Sequence, residues 1–596
     1  MANKQDIEGR LRDLRKELKR QGLDGFVVPL TDEHQSEYVA DCAQRLAWLS
    51  GFTGSFGSAT VLMAKAAVFS DGRYTLQIAA QVDGTLFERC HFKTTPPLDW
   101  LVGNVSDGMR IGYDPFLHTV GWVAETTEAL AFRGAELIAV EANPIDAIWD
   151  DRPGEPNRPV VGHGSEFVGE SSLEKRARIA AGVGKKGADA VVLTALDSIA
   201  WLMNIRSGDV LHTPVSLAYT VLEADGSASL FLDPKKVTGE LKSHLGNQVA
   251  VRDKSDFIDH LAGLGGKTII ADPATASAAV FEALRKAGAR VMRSADPCAL
   301  PKAVKNETEI EGAKTAHRRD GVAVAKFLHW LSDQEPTGGV TEMSAANKLL
   351  SFRKAGDFYQ DTSFSTISGA GPNGAIVHYR VSEETNRKFE NNMVFLIDSG
   401  GQYLDGTTDI TRTLAIGDVG AEARDRFSRV LKGHIALATA IFPKGTTGSQ
   451  LDVLARKPLW DLGLDYDHGT GHGVGSYLAV HEGPGRIAPW PNTVALQPGM
   501  IFSNEPGYYK TGGYGIRIEN LVVVKEVESP GEREMLGFEE LTLAPIDRNM
   551  LDVSVLSDGE LSWLNTYHQR VRSEIGPLLE GADRAWLETA TEAISR

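Results

Sequence analysis

LIDSGGQYLDGTTDITRT, residues Leu396–Thr413, runs an apolar strand pattern into an acid, Asp398, and returns after several glycines with a second acid, Asp409. A carboxylate at the end of a strand is costly to bury unless positive charge lies beside it. The stretch therefore predicts a hairpin whose two acids hold something positive between them.

The register of this hairpin is open at the level of sequence. A hairpin centred on Tyr403–Leu404 makes Asp398 and Asp409 cross-strand partners on one face. A turn at Asp405–Gly406, which offers the more usual turn residues, instead sets Asp398 opposite Thr413. A bulge could reconcile the two arrangements.

Three more candidate ligands lie further along the chain: His472 in HGTGHGVG, Glu505 in MIFSNEPGYY and Glu519 in GIRIENLVVV. Each acid of the set follows or interrupts an apolar strand pattern, where a solvated acid is not expected. Taken singly, any of them is more typical of an exposed surface acid. Taken together, five such residues beside glycines favour one metal site.

The charge of this set indicates two cations. Four carboxylates and one imidazole carry about −4, which two divalent ions neutralise. A paired site about 3.5–4 Å across uses bridging carboxylates to hold a hydroxide for attack on a carbonyl. Oxygen-rich ligands without a thiolate suit manganese better than a structural zinc. We therefore expect two divalent ions, most simply Mn²⁺, with Zn²⁺ and Co²⁺ as alternatives.

Four basic residues near these ligands are candidates for supporting roles. Arg517 precedes Glu519 by two positions, and it either orients a ligand carboxylate or is a solvent-exposed strand arginine. His378, His468 and His481 lie in glycine-flanked turns. A lone histidine is usually structural, but three around one acid cluster are candidates for proton handling and carbonyl polarisation.

Other catalytic motifs are weak or absent from the sequence. HGTGHGVG is glycine-rich, but no G-K-[ST] follows it, so phosphate binding is not predicted. The chain has no H-E-x-x-H and no G-x-S-x-G.

Composition narrows the class of protein. The chain has 596 residues and a formal net charge of −17, and an acidic surface repels phosphate backbones, so we expect no nucleic-acid partner. The 3 cysteines are scattered, which is typical of reduced thiols in a cytoplasmic protein. We expect no signal peptide and no membrane association, because no apolar run approaches the ~18 residues of a span.

The first half of the chain contains an internal duplication. LRDLRKELKRQGLDGFVVPL and LEKRARIAAGVGKKGADAVVLTAL share the order of charged helix, glycine and β-rich run. Landmarks then recur in the same order: AWLSGFTGS with AWLMNIRSGD, VFSDGRY with LFLDPKK, IGYDPFLHTV with IIADPATASAAV, and ANPID with ADPCAL. We therefore predict one α/β unit used twice, each with a mixed sheet covered by helices.

Two proline-punctuated joints set the predicted boundaries. DDRPGEPNRPVVGHGSE and DPCALPKAVKNETE place them near 155 and 303, which gives domains at 1–155, 156–302 and 303–596. Asn306 is the expected cap of the helix that opens the third domain.

The third domain shows a weaker internal symmetry. Two helices followed by SGAGPNGAIVHY are echoed by two helices followed by HGTGHGVGSYLAVHEGP. Two related halves that face one another would bring His378 and His481 to a shared cleft. The tail LSDGELSWLNTYHQRVRSEIGPLLEGADRAWLETATEAI, the last part of an extension at about 535–596, is expected to form terminal helices, and we identify no chemistry in it.

These motifs resemble those of the pita-bread metallopeptidase family (M24B), and within it the Xaa-Pro aminopeptidases (aminopeptidase P). The matching stretches are DSGGQYLDGTTDITRT, HGTGHGVGSYLAVHEGP, MIFSNEPGYY and GIRIEN. The resemblance covers the whole chain and is closest to a long, three-domain form. It implies an α/β (α+β) fold: two creatinase-like N-terminal α/β domains, the second a duplicate of the first, and a C-terminal pita-bread catalytic domain.

The resemblance also implies how the ligands are shared. Asp409 and Glu519 would bridge the two ions. Asp398 would complete the ligands of one ion, and His472 and Glu505 those of the other. A bridging hydroxide would attack the bond between the first residue of a peptide and a proline at the second position, so the implied substrates are peptides with a penultimate proline.

Further roles follow from the same resemblance. His481 would hydrogen-bond the substrate or stabilise the oxyanion, and His378 would position the substrate on the proline side. His468 would help order the site. Arg73, in SDGRY, would reach a bound peptide across a homodimer. The preference for proline rests wholly on the resemblance.

Two alternative functions are kept. A prolidase shares the fold and the metals but cleaves dipeptides, and the extra middle domain and long tail argue against it. A catalytically silent pita-bread scaffold that binds partners is the other, and the presence of all five ligand residues argues against that.

Overall fold

The computed structural model describes residues 4–334 and 338–596 of the chain. Contacts divide the chain into two units, one made of Met1–Ser165 with Glu170–Ala299 and the other of Glu166–Gly169 with Leu300–Arg596. None of the described helices has both the length and the apolar composition that a membrane crossing demands.

The first unit contains two six-stranded sheets. The strands of the first are β1 (Gly25–Pro29), β2 (Ser58–Leu62), β3 (Ala66–Ser70), β4 (Glu88–His91), β5 (Arg110–Tyr113) and β6 (Glu136–Ala139). The next strands are β7 (Val161–Gly162), β8 (Ala190–Leu193), β9 (Ile205–Arg206), β10 (Tyr219–Glu223), β11 (Ala228–Leu232), β12 (Val249–Asp253), β13 (Thr268–Ala271) and β14 (Arg290–Arg293). Of these, β7 and β9 form a separate two-stranded pair.

The two sheets repeat one topology. Their strand orders are β4-β3-β2-β1-β5-β6 and β12-β11-β10-β8-β13-β14. In both sheets, the three strands that come first along the chain (β1, β2 and β3; β8, β10 and β11) form antiparallel pairs. All other neighbouring strands, which are β3–β4, β1–β5 and β5–β6 in the first sheet and β11–β12, β8–β13 and β13–β14 in the second, pair parallel. The predicted duplication of a mixed α/β sheet is therefore present in the fold. The predicted boundary near 155 falls in the connection between β6 and β7; the limits of the domains remain a prediction.

Helices cover these sheets. Two of the short helices, α6 (Ser165–Val168) and α12 (Ala299–Ala303), belong largely to the second unit. The helices of the first unit are α1 (Lys4–Arg20), α2 (Arg45–Ser50), α3 (Thr75–Gln81), α4 (Pro97–Asn104), α5 (Val120–Ala131), α7 (Ser172–Lys185), α8 (Leu196–Met203), α9 (Gly239–Leu245), α10 (Phe257–Ala262) and α11 (Ala278–Lys286). The first of them shows why they dock: Ile7, Leu11, Leu14 and Leu18 recur at helical spacing and are all buried in one core cluster.

The second unit contains the remaining helices and strands. Its other helices are α13 (Glu307–Ser332), α14 (Glu342–Lys354), α15 (Gly420–Ala438), α16 (Gly448–Trp460), α17 (Asp558–Ile575) and α18 (Gly581–Ala590). The predicted cap Asn306 is confirmed, since its side chain accepts the Glu309 backbone N–H in a capping box at the start of α13. The tail forms α17 and α18, as expected from its sequence.

The strands of this unit form two related sets. They are β15 (Tyr359–Thr362), β16 (Ile367–Ala370), β17 (Met393–Ser399), β18 (Gly401–Tyr403), β19 (Gly406–Thr407), β20 (Ile410–Ile416), β21 (Phe442–Pro443), β22 (Gly471–Gly473), β23 (Glu482–Ile487), β24 (Ile501–Asn504), β25 (Gly507–Lys510), β26 (Tyr514–Arg517), β27 (Asn520–Val527) and β28 (Met535–Glu540). The sheet orders are β15-β18-β19, β16-β17-β20, β21-β28-β27-β24-β22-β23 and β25-β26. Two helices precede each set, which agrees with the predicted internal symmetry.

The hairpin of the opening stretch has neither predicted register. Asp398 of β17 pairs with Thr411 of β20, and Tyr403 pairs with Gly406. The turn therefore lies at Leu404–Asp405, between the two turns considered from sequence.

Packing against α13 explains this difference. A Cβ atom on Gly406 would lie 3.1 Å from the Cα of Ala313 and 3.2 Å from the Cβ of Ala316, so the glycine is needed for close packing on the helix and not for the turn. Asp405 forms an ion pair with Arg319 of the same helix. Thus helix contacts, which the local sequence does not reveal, set the register.

Candidate metal centre

The four candidate carboxylates occupy equivalent places in the two halves of the second unit. Asp398 is near the end of β17, and Glu505 directly follows β24. Asp409 directly precedes β20, and Glu519 directly precedes β27. Because β17 pairs with β20 and β24 pairs with β27 in the same antiparallel manner, each half contributes one acid from each strand of a pair. The fifth candidate, His472, lies on β22.

Side-chain distances bring the set together. The Nε2 atom of His472 is 3.5 Å from Oδ2 of Asp409 and 3.6 Å from Oε1 of Glu505. Single ligand atoms of Asp409, His472 and Glu519 all lie within 4.8 Å of one another. Asp409 is two residues before Thr411, the partner of Asp398, so the two aspartates are diagonal neighbours on one face of the ladder.

Burial makes this cluster electrostatically unfavourable without a cation. Burial raises the pKa of Asp398 to about 6, with Arg517 opposing and the charge of Asp409 adding to the shift. Burial raises the pKa of Glu505 to about 7. Burial and the neighbouring acids raise the pKa of Glu519 well above its ordinary value. These directions follow from crowding like charges in a low-dielectric site.

The donor atoms fit divalent cations. Oδ1 of Asp398 and Oδ1 of Asp409 are buried, and no hydrogen-bond donor reaches them within residues 4–334 and 338–596. The Nδ1 atom of His472 lies 3.0 Å from the carbonyl oxygen of Gly473, an arrangement that fixes Nδ1 as the donor and leaves the Nε2 lone pair for a metal. Buried oxygens without donors and a free imidazole lone pair are what a hard cation requires.

Arg517 supports the site from behind. Its guanidinium donates to Oδ2 of Asp398 at 2.5 Å, to Oγ1 of Thr411 at 3.1 Å and to the hydroxyl of Tyr509 at 2.6 Å. The side chain is 1% exposed, so the alternative of a solvent-exposed strand arginine is wrong. Thr411 in turn donates to Oε2 of Glu519 at 2.7 Å. The guanidinium of Arg517 and the hydroxyl of Thr411 thus connect Asp398 of one half to Glu519 of the other.

Family models match almost the whole chain. The model for metallopeptidase family M24 matches residues 311–526, and the model for the C-terminal region of that peptidase matches residues 534–594. Two models described as creatinase/prolidase N-terminal domain match residues 10–148 and 151–309.

Full-length relatives agree with these matches. Aminopeptidase P2 of Arabidopsis thaliana is 41% identical over 96% of this chain and 86% of its own. An X-prolyl aminopeptidase from Caenorhabditis elegans, described as a cytosolic enzyme with a di-nuclear active site, is 34% identical, with a TM-score of 0.94 over 99% of this chain and 100% of its own. The chain belongs to the Xaa-Pro aminopeptidases of metallopeptidase family M24. These matches confirm the predicted α/β fold. They also confirm the prediction that the chain is a metallo-aminopeptidase, which is a hydrolase.

The alternative of a prolidase is not favoured. An Xaa-Pro dipeptidase from Bacillus anthracis is 26% identical, with a TM-score of 0.51, and it covers 63% of this chain but 99% of its own. The dipeptidase thus lacks a counterpart for more than a third of the chain, whereas the X-prolyl aminopeptidase has one throughout. The five predicted ligand residues, all present, also disfavour a silent scaffold.

The predicted histidines are placed in different ways. The Nε2 atom of His468 lies 2.8 Å from the hydroxyl of Tyr509, so His468 connects through Tyr509 to Arg517. The ring of His481 is 4.4 Å from the ring of His472, and the two planes are inclined by 73°. His378 is half-buried in the turn after the 3-10 helix Gly371–Ala375. The roles of all three remain predictions.

Arg73 lies in the first unit, in the short 3-10 helix Gly72–Tyr74. Its guanidinium forms a fork on Asp71, with N···O distances of 3.1 and 2.8 Å, and lies over the ring of Phe56. This pairing orders the side chain, and its reach toward a peptide remains a prediction.

Three polar residues of the site were not identified from the sequence. Thr411 and Tyr509 are described above. Ser503 accepts the backbone N–H of His472 at 2.9 Å and donates to Oε1 of Glu505 at 3.3 Å. Thr411 lies two residues from Asp409 and Ser503 lies two residues from Glu505. Because side chains two residues apart in a strand point to the same face, this spacing could have identified both residues from the sequence. Nothing in the local sequence distinguishes Tyr509 from its neighbour Tyr508.

Proposed function

We propose that this chain releases the N-terminal residue from peptides whose second residue is proline, with two divalent cations held by a ligand set. The set consists of Asp398, Asp409, His472, Glu505 and Glu519. The observation that supports this most directly is a cluster in which ligand atoms of Asp409, His472 and Glu519 lie within 4.8 Å of one another and Glu505 lies 3.6 Å from His472. The chain that carries it matches an X-prolyl aminopeptidase over 99% of its length.

The division of the ligands between the two ions follows the family resemblance. Asp409 and Glu519 directly precede β20 and β27, and on that resemblance they would lie between the ions. Asp398 would complete one ion, while His472 and Glu505, whose contact atoms are 3.6 Å apart, would complete the other. Bound there, the two ions supply activation of water and polarisation of the scissile carbonyl.

The chain's own residues orient these groups and the peptide. Arg517 and Thr411 fix one carboxylate of each half through the hydrogen bonds described above. His481 is half-buried beside His472, a position suited to donating a hydrogen bond to the carbonyl oxygen of the peptide. His378 would contact the substrate on the proline side. His468 would keep Arg517 in place through Tyr509.

Further parts of the proposal concern the setting of the enzyme. We assign Mn²⁺ to the site because the donors are mostly oxygen and no thiolate belongs to the set. The proposed compartment is the cytoplasm, which agrees with the description of the C. elegans relative. The proposed assembly is a homodimer across which Arg73 reaches the peptide, and the proposed domains are 1–155, 156–302 and 303–596.

A pair of substrates tests the function. Purified chain is stripped with a chelator, its metal content is measured by elemental analysis, and Mn²⁺ is added back before assay on an Xaa-Pro-Xaa tripeptide and an Xaa-Pro dipeptide. We expect about two ions per chain and tripeptide turnover that disappears on chelation and returns with Mn²⁺. Turnover of the dipeptide alone would support a prolidase instead, and full activity in the stripped protein would refute a metal mechanism.

A further inference from the structure

A buried carboxylate that the mechanism does not use lies at the start of α14. Glu342 is 0% exposed, and its carboxylate accepts hydrogen bonds from four groups. The donors are the backbone N–H of Ala370 at 2.7 Å, Nδ2 of Asn373 at 2.9 Å, the hydroxyl of Tyr379 at 2.9 Å and the backbone N–H of Arg387 at 2.9 Å.

All of these donors belong to one segment, residues 370–387, and all are uncharged. A buried carboxylate is costly unless hydrogen bonds replace its hydration. Because the bonds to Glu342 come from four positions spread over the segment, the carboxylate and the segment stabilise each other only in this one conformation. Removing the acceptor would release the segment at four points.

The segment has few other attachments to α14: the backbone N–H of Met343 donates to Oδ1 of Asn386 at 3.0 Å, and the backbone N–H of Glu342 donates to the carbonyl oxygen of Arg387 at 3.0 Å. Tyr379 also packs against Ile367 and Leu396. After the 3-10 helix Gly371–Ala375 it forms no helix or strand until β17 begins at Met393. Additional bonds close it on itself: the hydroxyl of Tyr379 also contacts Oγ1 of Thr385 at 2.9 Å, and Asn373 donates to the Thr385 carbonyl at 3.1 Å. These bonds connect parts of the segment to one another, whereas Glu342 connects the segment to α14.

His378 lies in this segment, next to Tyr379. The Tyr379 side chain is 4% exposed and bonded to Glu342, so the backbone on one side of His378 is fixed by that contact. We propose that Glu342 is a positioning residue for His378: it holds the segment at the place from which His378 meets the substrate. This inference rests on the function proposed above, specifically on the role of His378.

The other half of the unit has a related arrangement. Asp452 of α16, the second helix of that half, accepts Oγ1 of Thr470 at 2.6 Å and Nε of Arg456 at 2.7 Å. Arg456 also donates to the carbonyl oxygen of His468 at 2.6 Å. A buried acid on the second helix of each half thus bonds to the segment that follows, although in the second half the histidine reached is His468 and not His481, which matches His378 in the sequence repeat.

A double-mutant cycle tests the proposal. Glu342→Gln places an amide N–H against one of the backbone donors, and we expect kcat/KM on the Xaa-Pro-Xaa tripeptide to fall about 10- to 100-fold, the cost of a misplaced active-site group. Metal content should not change, since Glu342 contacts none of the ligand residues. His378→Ala should lower kcat/KM as well, and the double variant should be within about twofold of His378→Ala alone.

Two further variants keep the test decisive. Tyr379→Phe removes one of the four donors and should lower kcat/KM by a smaller factor. Combined with His378→Ala, it should again add little to the loss from His378→Ala alone. This variant tests the proposal even if Glu342→Gln does not fold. Glu384→Gln is the matched control, because Glu384 lies in the same segment but is exposed, and it should retain wild-type kinetics.

The outcomes separate the two proposals. Multiplicative losses in the double variant, or a loss of bound metal in Glu342→Gln, would show a general structural role and overturn the inference while the function stands. A silent His378→Ala would also overturn it, because nothing would then be positioned. Absence of tripeptide turnover in the wild-type protein would instead reject the proposed function itself.

Discussion

Replacing Thr411 by valine removes the hydroxyl that connects the two halves of the metal centre. Oγ1 of Thr411 donates to Oε2 of Glu519 at 2.7 Å and accepts from Nε of Arg517 at 3.1 Å. Valine has nearly the same shape but neither bond, and the site is 0% exposed. The change therefore frees a proposed bridging carboxylate without opening a cavity.

The size of the effect follows from the charge on the partners. A hydrogen bond to a charged group contributes about 1.5–3 kcal/mol, and about 1.4 kcal/mol corresponds to a factor of ten. If the whole of this contribution holds Glu519 ready for the metal, the affinity for Mn²⁺ falls about 10- to 150-fold. Loss of a partner behind a metal ligand costs about 10- to 100-fold in known sites, so we expect a value in that range.

The assay is a calorimetric titration of stripped protein with Mn²⁺, with thermal unfolding measured beside it. Thr413→Val is the matched control: Thr413 is two residues further along β20 and also buried, but its hydroxyl donates to the carbonyl of Arg517 at 2.8 Å and accepts its N–H at 3.0 Å. Both variants should lose about 1–3 kcal/mol of stability, and only Thr411→Val should lose metal affinity. Equal losses of affinity in both would refute the reasoning.

Three other predictions concern acids elsewhere in the second unit. Asp409→Asn should lower metal-dependent kcat/KM by about 100-fold or more while circular dichroism shows a folded chain; near-normal turnover with bound metal would contradict its assignment. Glu482 accepts hydrogen bonds from the buried Lys302 and Lys305. Glu482→Gln leaves both ammonium groups without their carboxylate, so it should lower the free energy of unfolding, measured in urea, by about 3–5 kcal/mol. The loss should exceed that of Lys305→Met. Burial raises the pKa of Glu540 from 4.5 to about 7, so its stabilising effect is complete below pH 4.5 and is lost as the pH rises through 7. Glu540→Gln should remove this dependence of the free energy of unfolding on pH. An unchanged pH profile in the variant would show that the pKa is not raised.

Much of the candidate site was accessible from the sequence because its chemistry interrupts local patterns. An acid at the end of an apolar strand is costly in water-free surroundings, so Asp398, Glu505 and Glu519 stand out without any knowledge of the fold. Asn306 was recognisable as a helix cap for a similar reason, since a side-chain oxygen followed three residues later by Glu309 satisfies two backbone donors.

The register of the hairpin was not accessible, and the reason is tertiary. From the sequence, Asp405–Gly406 is a good turn, because glycine is permissive there. In the fold, Gly406 packs where any side chain would meet Ala313, and the turn moves to Leu404–Asp405. Contacts between distant elements decided between local options of similar energy. The same limit applies to Tyr509, whose role depends on the distant residues His468 and Arg517.

The internal symmetry of the second unit explains why the acids meet at all. Each half, taken alone, places two carboxylates at the edge of one antiparallel strand pair, where water could still solvate them. Bringing the halves together joins Thr411 of one to Glu519 of the other and leaves Asp398, Asp409 and Glu519 buried and Glu505 half-buried. The free energy of that burial is unfavourable while the acids are charged, as their raised pKa values indicate. Cations that bind between the halves would therefore stabilise the folded unit as well as its chemistry.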